Sequence, residues 1–416
     1  MRDVTDVVIV GGGAAGLATA IFTARSVPGV RITCLDGARR IGAKILVSGG
    51  SRCNVTNRIV TERDFWGGSP RLVRNVLRAF PADRAADFFR SLGVALHEED
   101  DGKLFPDTNR SRTVLDALLA ETARLGIAIE CGRRVADVRR QVDGFLVIPD
   151  SGPELSARVV VLATGGRSLP KTGSDGFGYE LAARLGHGYV DTTPALAPLV
   201  LGDTWHQPLA GVSHAARLML RVDGRTAIHL DGSLLWTHVG ASGPVVLNLS
   251  RHWHRARLKS AAVDVAISLC PGETFESLEA WWLEQERERP RALVATVLAA
   301  RVPAAVAATW IDIAGLGRDT TMAHVGRDER RRLIHAVVDT PLDVRDSRGY
   351  GYAEVTAGGV PLDEIDSATM ESRVCAGLYL VGELLDVDGR LGGFNFQWSW
   401  SSGWVAGHAI ARALTT

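Results

Sequence analysis

The sequence predicts an α/β fold: one α/β domain built from both ends of the chain and interrupted by a β-plus-helical insertion. Three observations predict it. Residues 4–36 read as strand, glycine turn, helix and strand. Apolar strands ending in glycine return at 157–166 and 377–382. Between them the pattern shifts to alternating apolar and polar residues, then to a stretch rich in Glu, Arg, Ala and Trp.

Each element follows from its local pattern. "VTDVVIV" (4–10) is a short apolar run ending at Gly11, the mark of a strand buried on both faces. Residues 14–26 are Ala-rich and helical, and "VRITCL" (30–35) is a second strand, so the chain opens with a βαβ unit. Residues 71–92 and 111–125 carry the apolar spacing of amphipathic helices. "ARVVVLATGG" (157–166) is a buried strand closed by a glycine pair. Residues 196–270 alternate, with turn signals "VDGR" and "LDGS", and predict antiparallel strands. Residues 274–337 read as helical. From 350 the glycine-rich strand pattern returns with "LYLVGE", and a last helix is expected near 397–413. The expected domains are 1–195 and 346–416 for the two parts of the α/β domain, 196–273 with 326–345 for the β part of the insertion, and 274–325 for its helices.

Composition narrows the function. The chain is 46% hydrophobic and 23% charged, ordinary for a soluble globular protein. Lys+Arg and Asp+Glu are both 47, which argues against nucleic acid or anionic membrane as the main partner. The five cysteines, Cys34, Cys53, Cys131, Cys270 and Cys375, show no C-x-x-C spacing, so no dithiol motif or metal site is expected. An odd, sparse cysteine count suits a reducing compartment. The apolar N-terminal run is broken by glycines, lacks a basic flank and does not read as a signal peptide. Arg301 and Pro303 interrupt the apolar residues 292–310, which read as packing helices rather than a membrane span. A cytoplasmic location is expected.

"GGGAAG" supplies G-x-G-x-x-G as Gly11, Gly13 and Gly16, with Ala14 and Ala15 inside it. It follows a predicted strand and opens a predicted helix, the context that gives the motif meaning. Gly11 permits the tight turn, Gly13 lets a pyrophosphate approach the backbone, and Gly16 lets helix and strand pack closely. Asp36 lies twenty residues after Gly16, at the end of the second strand, where a carboxylate accepts adenosine ribose hydroxyls. This is a Rossmann-type dinucleotide fingerprint. Two later segments favour FAD: Ala163, Thr164, Gly165 and Gly166 at a strand end, and Gly382, Glu383 and Asp386 after a late strand. No second fingerprint follows a strand, so NAD(P)H is expected only as a transient electron donor.

Together these motifs resemble the BaiN/YhiN-like bacterial flavoproteins. The resemblance rests on "GGGAAG" (11–16), "KILVSGGSRCNVTN" (44–57), "ATGGRSLPKTGSDGFGY" (163–179), "THVGASGP" (237–244), "VTAGGV" (355–360) and "GELLDVDGRLGGFNFQWSWSSGWVAG" (382–407), in the family's order. It implies non-covalent FAD in a Rossmann-type FAD-binding domain, interrupted by an inserted β-barrel plus helical domain, and redox chemistry on a poorly defined substrate class. Carried over, the FAD contacts are Ala15, Asp36, Ala43, Lys44, Gly50, Val135, Glu383, Asn395 and Phe396. The sequence departs from the family at Asp36 (usually Glu), Ala43 (usually basic), Ser51 (usually Gly), and Phe394 and Phe396 (usually Tyr and Leu).

The remaining candidates lie in two stretches and one histidine. In "SGGSRCNVTN" (48–57), Gly49 and Gly50 allow close backbone approach to a flavin ring. Arg52, Asn54 and Asn57 are candidates for bonds to flavin carbonyls, ribityl hydroxyls or the loop itself. Cys53 is either a thiol beside the reacting atoms or a small packed side chain; the reading favours packing, because no partner cysteine is near. His238 is either a general acid or base or a structural histidine. In "GGFNFQWSW" (392–400), Gly392 and Gly393 allow a sharp turn, and a helix starting near Asn395–Gln397 is expected to face the flavin through its N–H groups and the Asn395 amide. Trp398, Trp400 and Trp404 form either an aromatic wall for a flat substrate or a packed helix face.

The expected function is an FAD-dependent oxidoreductase that passes hydride between flavin N5 and a small organic molecule. NAD(P)H-linked reduction of a conjugated C=C is the leading form, and an O2-using amine or ketone oxidase is the alternative. Flavin-dependent RNA modification is a third class, disfavoured by the balanced charge.

Overall fold

The computed structural model describes residues 4–415. The chain divides into two compact units: one runs up to Thr193 and resumes at Ala353, and the other is Pro194–Tyr352.

The first unit is built on parallel strands. Val4–Val10 lies between Ile32–Asp36 and Leu155–Leu162; Ala128–Cys131 extends the sheet beyond the former, and Leu378–Leu380 beyond the latter. The hairpin Val135–Gln141/Gly144–Pro149 pairs antiparallel with the first half of Leu155–Leu162. The chain therefore winds away from the first strand in both directions. A crevice opens at the carboxyl ends of its neighbours, the place where open α/β sheets bind ligands. Val7, Val8 and Ile9 have no exposed surface, which is why the strand carries no alternation.

Two helices of this unit are in close contact. Ala14–Ser26 packs against the C-terminal helix Phe394–Thr415. Gly403 and Gly407, one helical turn apart, make the approach possible. A Cβ on Gly403 would lie 2.8 Å from Ala18 Cβ, and one on Gly407 2.8 Å from Phe22 Cβ. The expected helix over 71–92 is two helices, Pro70–Ala79 and Ala82–Ser91, because Pro81 cannot continue the first. The third amphipathic helix is Ser111–Arg124.

The second unit is an antiparallel sheet with helices over one core. Its strand order is Thr340–Leu342, Val263–Ser268, Ser213–Val222, Arg225–Thr237, Gly240–Ser242, Leu199–Leu201, Val344–Ser347. The two edge strands are separated in the chain only by Asp343, so the sheet curls until its edges come close. "VDGR" is the turn of the long hairpin, as expected. "LDGS" is not a turn: it continues the strand, and Asp231 pairs with Arg217 across the ladder. Pro244–Leu258 is a helix inside the region read as strands. Val245, Val246, Leu249 and Trp253 fall at helical spacing and are buried, with Pro244 at the first helical position. Trp236, Trp253, Trp282 and Trp310 are buried in the same core as the helices Phe275–Glu288, Ala304–Ile313 and Arg327–Val338.

Candidate active site

The glycine turn is a cradle with one open side. Gly11 has φ +106°, and its amide donates to the Leu35 carbonyl at 2.8 Å. A Cβ on Gly11 would lie 2.4 Å from the Ala163 carbonyl oxygen, and one on Gly16 only 2.0 Å from the Gly11 carbonyl oxygen. A Cβ on Gly13 would meet nothing within 4 Å. Two glycines are thus required by packing, and the third borders open space. Ala14 opens the helix behind Gly13, whose first N–H groups lack intrahelical acceptors and carry the positive end of the helix dipole.

Asp36 stands at the end of its strand. Its carboxylate accepts from the Gly12 amide at 2.8 Å and the Ala38 amide at 2.7 Å. Each oxygen keeps a further lone pair, so the group is oriented and still able to accept. Val135 begins the strand that follows Arg133, whose amide donates to the Asp36 carbonyl; the chain thus returns to the same corner.

Three segments converge on Glu383. Its Oε2 accepts from Lys44 Nζ at 2.6 Å, and its Oε1 from Ser168 Oγ at 2.8 Å and the Thr356 amide at 3.0 Å. Lys44 also donates to Ser168 Oγ. Thr356 Oγ1 accepts from the Arg167 and Ser168 amides at 2.8 and 3.1 Å. Ala163 continues the central strand, its amide donating to the Val10 carbonyl, and Thr164, Gly165 and Gly166 lead from there into this network. A Cβ on Gly166 would lie 2.4 Å from Thr356 Oγ1. Gly382, at φ +71°, leaves room for Ala15, whose Cβ would be 2.7 Å from a Cβ there. Asp386 contributes its carbonyl to the Gly68 amide. Ser168 and Thr356 escape a residue-by-residue reading; their only signal is their place inside the quoted motifs.

The loop 48–57 is irregular because its backbone is left-handed at Gly49, Gly50, Ser51 and Cys53, with φ between +55° and +67°. Ala43 starts the short helix that leads into it. The loop is fastened to the C-terminal helix over more than 300 residues of sequence. Asn57 Nδ2 donates to the Gly392 carbonyl at 3.1 Å, Thr56 Oγ1 to Gln397 Oε1 at 2.6 Å, and Trp400 Nε1 to the Val55 carbonyl at 2.8 Å. Asn54 Oδ1 is buried without a donor from the chain and lies 2.8 Å from where a Gly393 Cβ would be.

Several candidates take other places than expected. Arg52 is paired with Glu99 at 2.6 Å and lies over the Phe105 ring at 4.1 Å, so its charge is already neutralised; it in turn holds the Glu99 carboxyl below its usual range. The Asn395 amide brackets Gly389, accepting from its N–H at 2.8 Å and donating to its carbonyl at 2.9 Å. That side chain stabilises the turn instead of facing a ligand. The helix begins at Phe394, after Gly392 (φ +128°) and Gly393 (φ +91°), and its first N–H groups lack intrahelical acceptors. Trp398 and Trp400 are buried, with Trp398 Nε1 donating to the Gly382 carbonyl; they are core, not a wall. Phe396 stacks on Trp400, with ring centroids 5.5 Å apart. His238 lies in the second unit, exposed in the turn after Arg225–Thr237, and its ring makes no hydrogen bond among the described residues.

Cys53 has no exposed surface, and burial pushes its thiol up to about 12, so it stays protonated at neutral pH. Cys53→Ala is expected to keep FAD and to be reduced at the wild-type rate, at a stability cost of about 1 kcal/mol. Anaerobic stopped-flow reduction checks this. A folded, FAD-loaded variant that no longer accepts electrons would show that the thiol takes part.

The residues fit FAD on three structural grounds: the open side at Gly13, the oriented carboxylate of Asp36, and the buried, donorless oxygen of Asn54 beside a helix start. Relatives agree. A family model described as the HI0933-like protein Rossmann domain matches residues 5–409. The chain is 32% identical to a 3-dehydro-bile acid delta(4,6)-reductase of Clostridium scindens, over 97% of this chain and 98% of that one. It is also 32% identical to a ribosomal RNA dihydrouridine synthase of Escherichia coli, over 99% of both chains. Among solved structures, a 3-ketosteroid delta1-dehydrogenase from Sterolibacterium denitrificans shares the fold at 13% identity and TM-score 0.51, over 99% of this chain and all of that one. No helix among the described residues is long and apolar enough to cross a membrane. The chain belongs to the HI0933-like, BaiN/YhiN-like family of Rossmann-type flavoproteins and is an FAD-dependent oxidoreductase.

Proposed function

We propose that this oxidoreductase reduces a carbon–carbon double bond conjugated to a carbonyl, with NAD(P)H as a transient electron donor. One observation carries the reading. Two relatives of equal identity and nearly full coverage bear names with different substrates, a 3-dehydro bile acid and a ribosomal RNA uridine. The bond change is the same in both. The delta-4 and delta-6 double bonds beside a 3-ketone and the 5,6 double bond of uracil are each polarised by a conjugated carbonyl.

FAD supplies the hydride acceptor and donor for such chemistry, and the protein supplies binding, orientation and electrostatics. The Gly13 side of the turn and the helix dipole would hold the pyrophosphate, and Asp36 the adenosine ribose. Lys44 and Glu383, fixed by Ser168 and Thr356, would bind between the two ends of the cofactor. The loop at Gly49, Gly50 and Asn54 and the N–H groups at Phe394–Phe396 would hold the ring system. A helix start stabilises negative charge, typically by about 0.3–1 kcal/mol.

The test is anaerobic. Protein reduced with NADPH or NADH is mixed with a 4-en-3-one steroid, and flavin reoxidation is followed. Reoxidation with saturation of the double bond supports the reading. Reoxidation only in a parallel sample admitted to O2, with the enone inert, would favour the oxidase alternative.

An RNA substrate is the second reading, favoured by the E. coli relative and by a Haemophilus influenzae relative of the same name at 31% identity. The balanced total charge also hides a local excess: residues 232–263 contain Arg251, Arg255, Arg257 and Lys259 and no acid. Nucleoside mass spectrometry of unmodified ribosomal RNA incubated with protein and NADPH separates the two. Dihydrouridine formation selects RNA; its absence beside enone turnover selects the small molecule.

A further inference from the structure

One strand of the second unit is paired along one side only. Arg225–Thr237 is 13 residues long and pairs with Ser213–Val222 over most of its length. On its other side it meets Gly240–Ser242 at Leu235, Trp236 and Thr237 alone. Gly243 then crosses that side: a Cβ there would lie 2.8 Å from the Ser233 carbonyl oxygen. From Ser233 back to the hairpin turn no further strand pairs with it among the described residues. The strands at the two ends of the sheet, Thr340–Leu342 and Val344–Ser347, are only 3 and 4 residues long, a length that discourages recruitment of another chain.

Which groups face outward follows from one fixed point. The Trp236 amide donates to the Val212 carbonyl at 3.0 Å, and its carbonyl accepts from the Gly211 amide at 2.9 Å. Trp236 therefore directs its main chain toward the side of Ser213–Val222. Successive residues of a strand alternate in that direction. The register is unbroken from Ser213↔Leu235 to Leu220↔Ile228, so Leu234, Gly232 and Leu230 point as Trp236 does, and Asp231 and His229 point away. Both are exposed, and their N–H and C=O groups have no partner among the described residues. Side chains alternate as well. Ile228 and Leu230 share the face of buried Leu234, and are half-buried against the core of this unit. The core thus runs out to an edge with free hydrogen-bonding groups.

Polar and charged side chains on an edge usually keep other strands off. Their order here admits one exception, the strand itself. We propose that this edge joins two copies of the chain in an antiparallel β-pairing about a two-fold axis at Leu230. A two-fold interface sets residue i against j and j against i. With the axis at Leu230, His229 of each copy stands opposite Asp231 of the other. An imidazole N–H donates to a carboxylate in either charge state, and Asp231 keeps lone pairs beyond its two bonds from Arg217. The neighbouring registers that also join outward groups set His229 against His229 or Asp231 against Asp231, and like charges directly opposite destabilise. At Leu230 the pairing would supply about four main-chain hydrogen bonds and bring the two Leu230 side chains together at the close, non-hydrogen-bonded position. So small an interface fits a dimer that dissociates in the micromolar range.

Sedimentation equilibrium of the FAD-loaded full chain across the micromolar range tests this. The proteins compared are wild type, His229→Pro, His229→Asp and His229→Lys. Proline at 229 removes an outward N–H and no bond to Ser213–Val222, so the monomer keeps its ladder while the dimer is lost. Aspartate sets two like-charged pairs across the axis and should weaken the dimer at least tenfold. Lysine sets an ammonium opposite each Asp231 and should tighten it in low salt, a gain that high salt removes. A wild-type dimer with that order of variants supports the proposal. Wild type that stays monomeric throughout, a dimer that persists in His229→Pro, or aspartate and lysine shifting it alike overturns it. Melting temperature and FAD content show whether each variant keeps the fold. If His229→Pro melts low, the opposite responses to aspartate and lysine decide alone.

Discussion

Gly16→Ala is expected to give a nearly colourless protein that melts well below wild type, whereas Gly13→Ala should melt like wild-type apoprotein and still bind FAD poorly. The two glycines belong to one motif and serve different forces. At Gly16 the added carbon would lie 2.0 Å from a backbone carbonyl oxygen, which no rotamer change relieves. Overpacking costs typically 1–3 kcal/mol, and a backbone clash belongs at the upper end. About 3 kcal/mol corresponds to roughly a hundredfold in binding if the cost falls on the cradle. At Gly13 the added carbon meets no protein atom within 4 Å, so the apoprotein has nothing to lose. The carbon would occupy the side from which a pyrophosphate approaches. Calorimetric melting of apoproteins and flavin-fluorescence titration with FAD measure both quantities. A Gly13→Ala protein that binds FAD as tightly as wild type would mean that the open side does not face the phosphates.

Glu383→Ala should be the most damaging change in the cluster. It removes the acceptor of the Lys44 ammonium, the Ser168 hydroxyl and the Thr356 amide together. The Lys44 and Glu383 side chains are 24% and 16% exposed, so water replaces the lost partner only in part. Breaking a buried pair costs about 3–5 kcal/mol, and residual exposure lowers this to about 2–3. The melting temperature should fall by roughly 5–10 °C. Replacing both partners by apolar residues of similar size avoids the orphaned charge. Lys44→Met/Glu383→Leu should therefore recover most of the stability while FAD affinity stays at least tenfold down. Wild-type FAD affinity in that double variant would reduce the pair to a structural tie.

Local patterns were legible where one force acts over a few neighbouring residues. The first strand, its helix and the glycine turn follow from a run of apolar residues, a helical period and a backbone that needs positive φ or close approach. The same logic missed the break at Pro81 and the helix Pro244–Leu258, because a local window averaged proline and helical spacing into the surrounding pattern. "LDGS" failed as a turn for a related reason: Asp231 is held in the ladder by Arg217 on the neighbouring strand, a contact that turn propensity does not contain.

The residue types of the sequence alone determined that this chain builds a dinucleotide cradle, with Gly11, Gly13, Gly16 and Asp36 in their places. Which side chains are left free to serve a cofactor depends on contacts between distant segments. Arg52 looked like a free cation until Glu99 was placed 2.6 Å away, and the Asn395 amide looked available until it closed on Gly389. Ser168 and Thr356 gained meaning only when Glu383, 215 and 27 residues further on, was folded onto them. A hydrogen bond depends on separations of about 3 Å in space, and sequence distance carries almost no information about them. Glycine geometry is a property of one residue, whereas the state of a charge or an amide belongs to whatever the fold sets beside it.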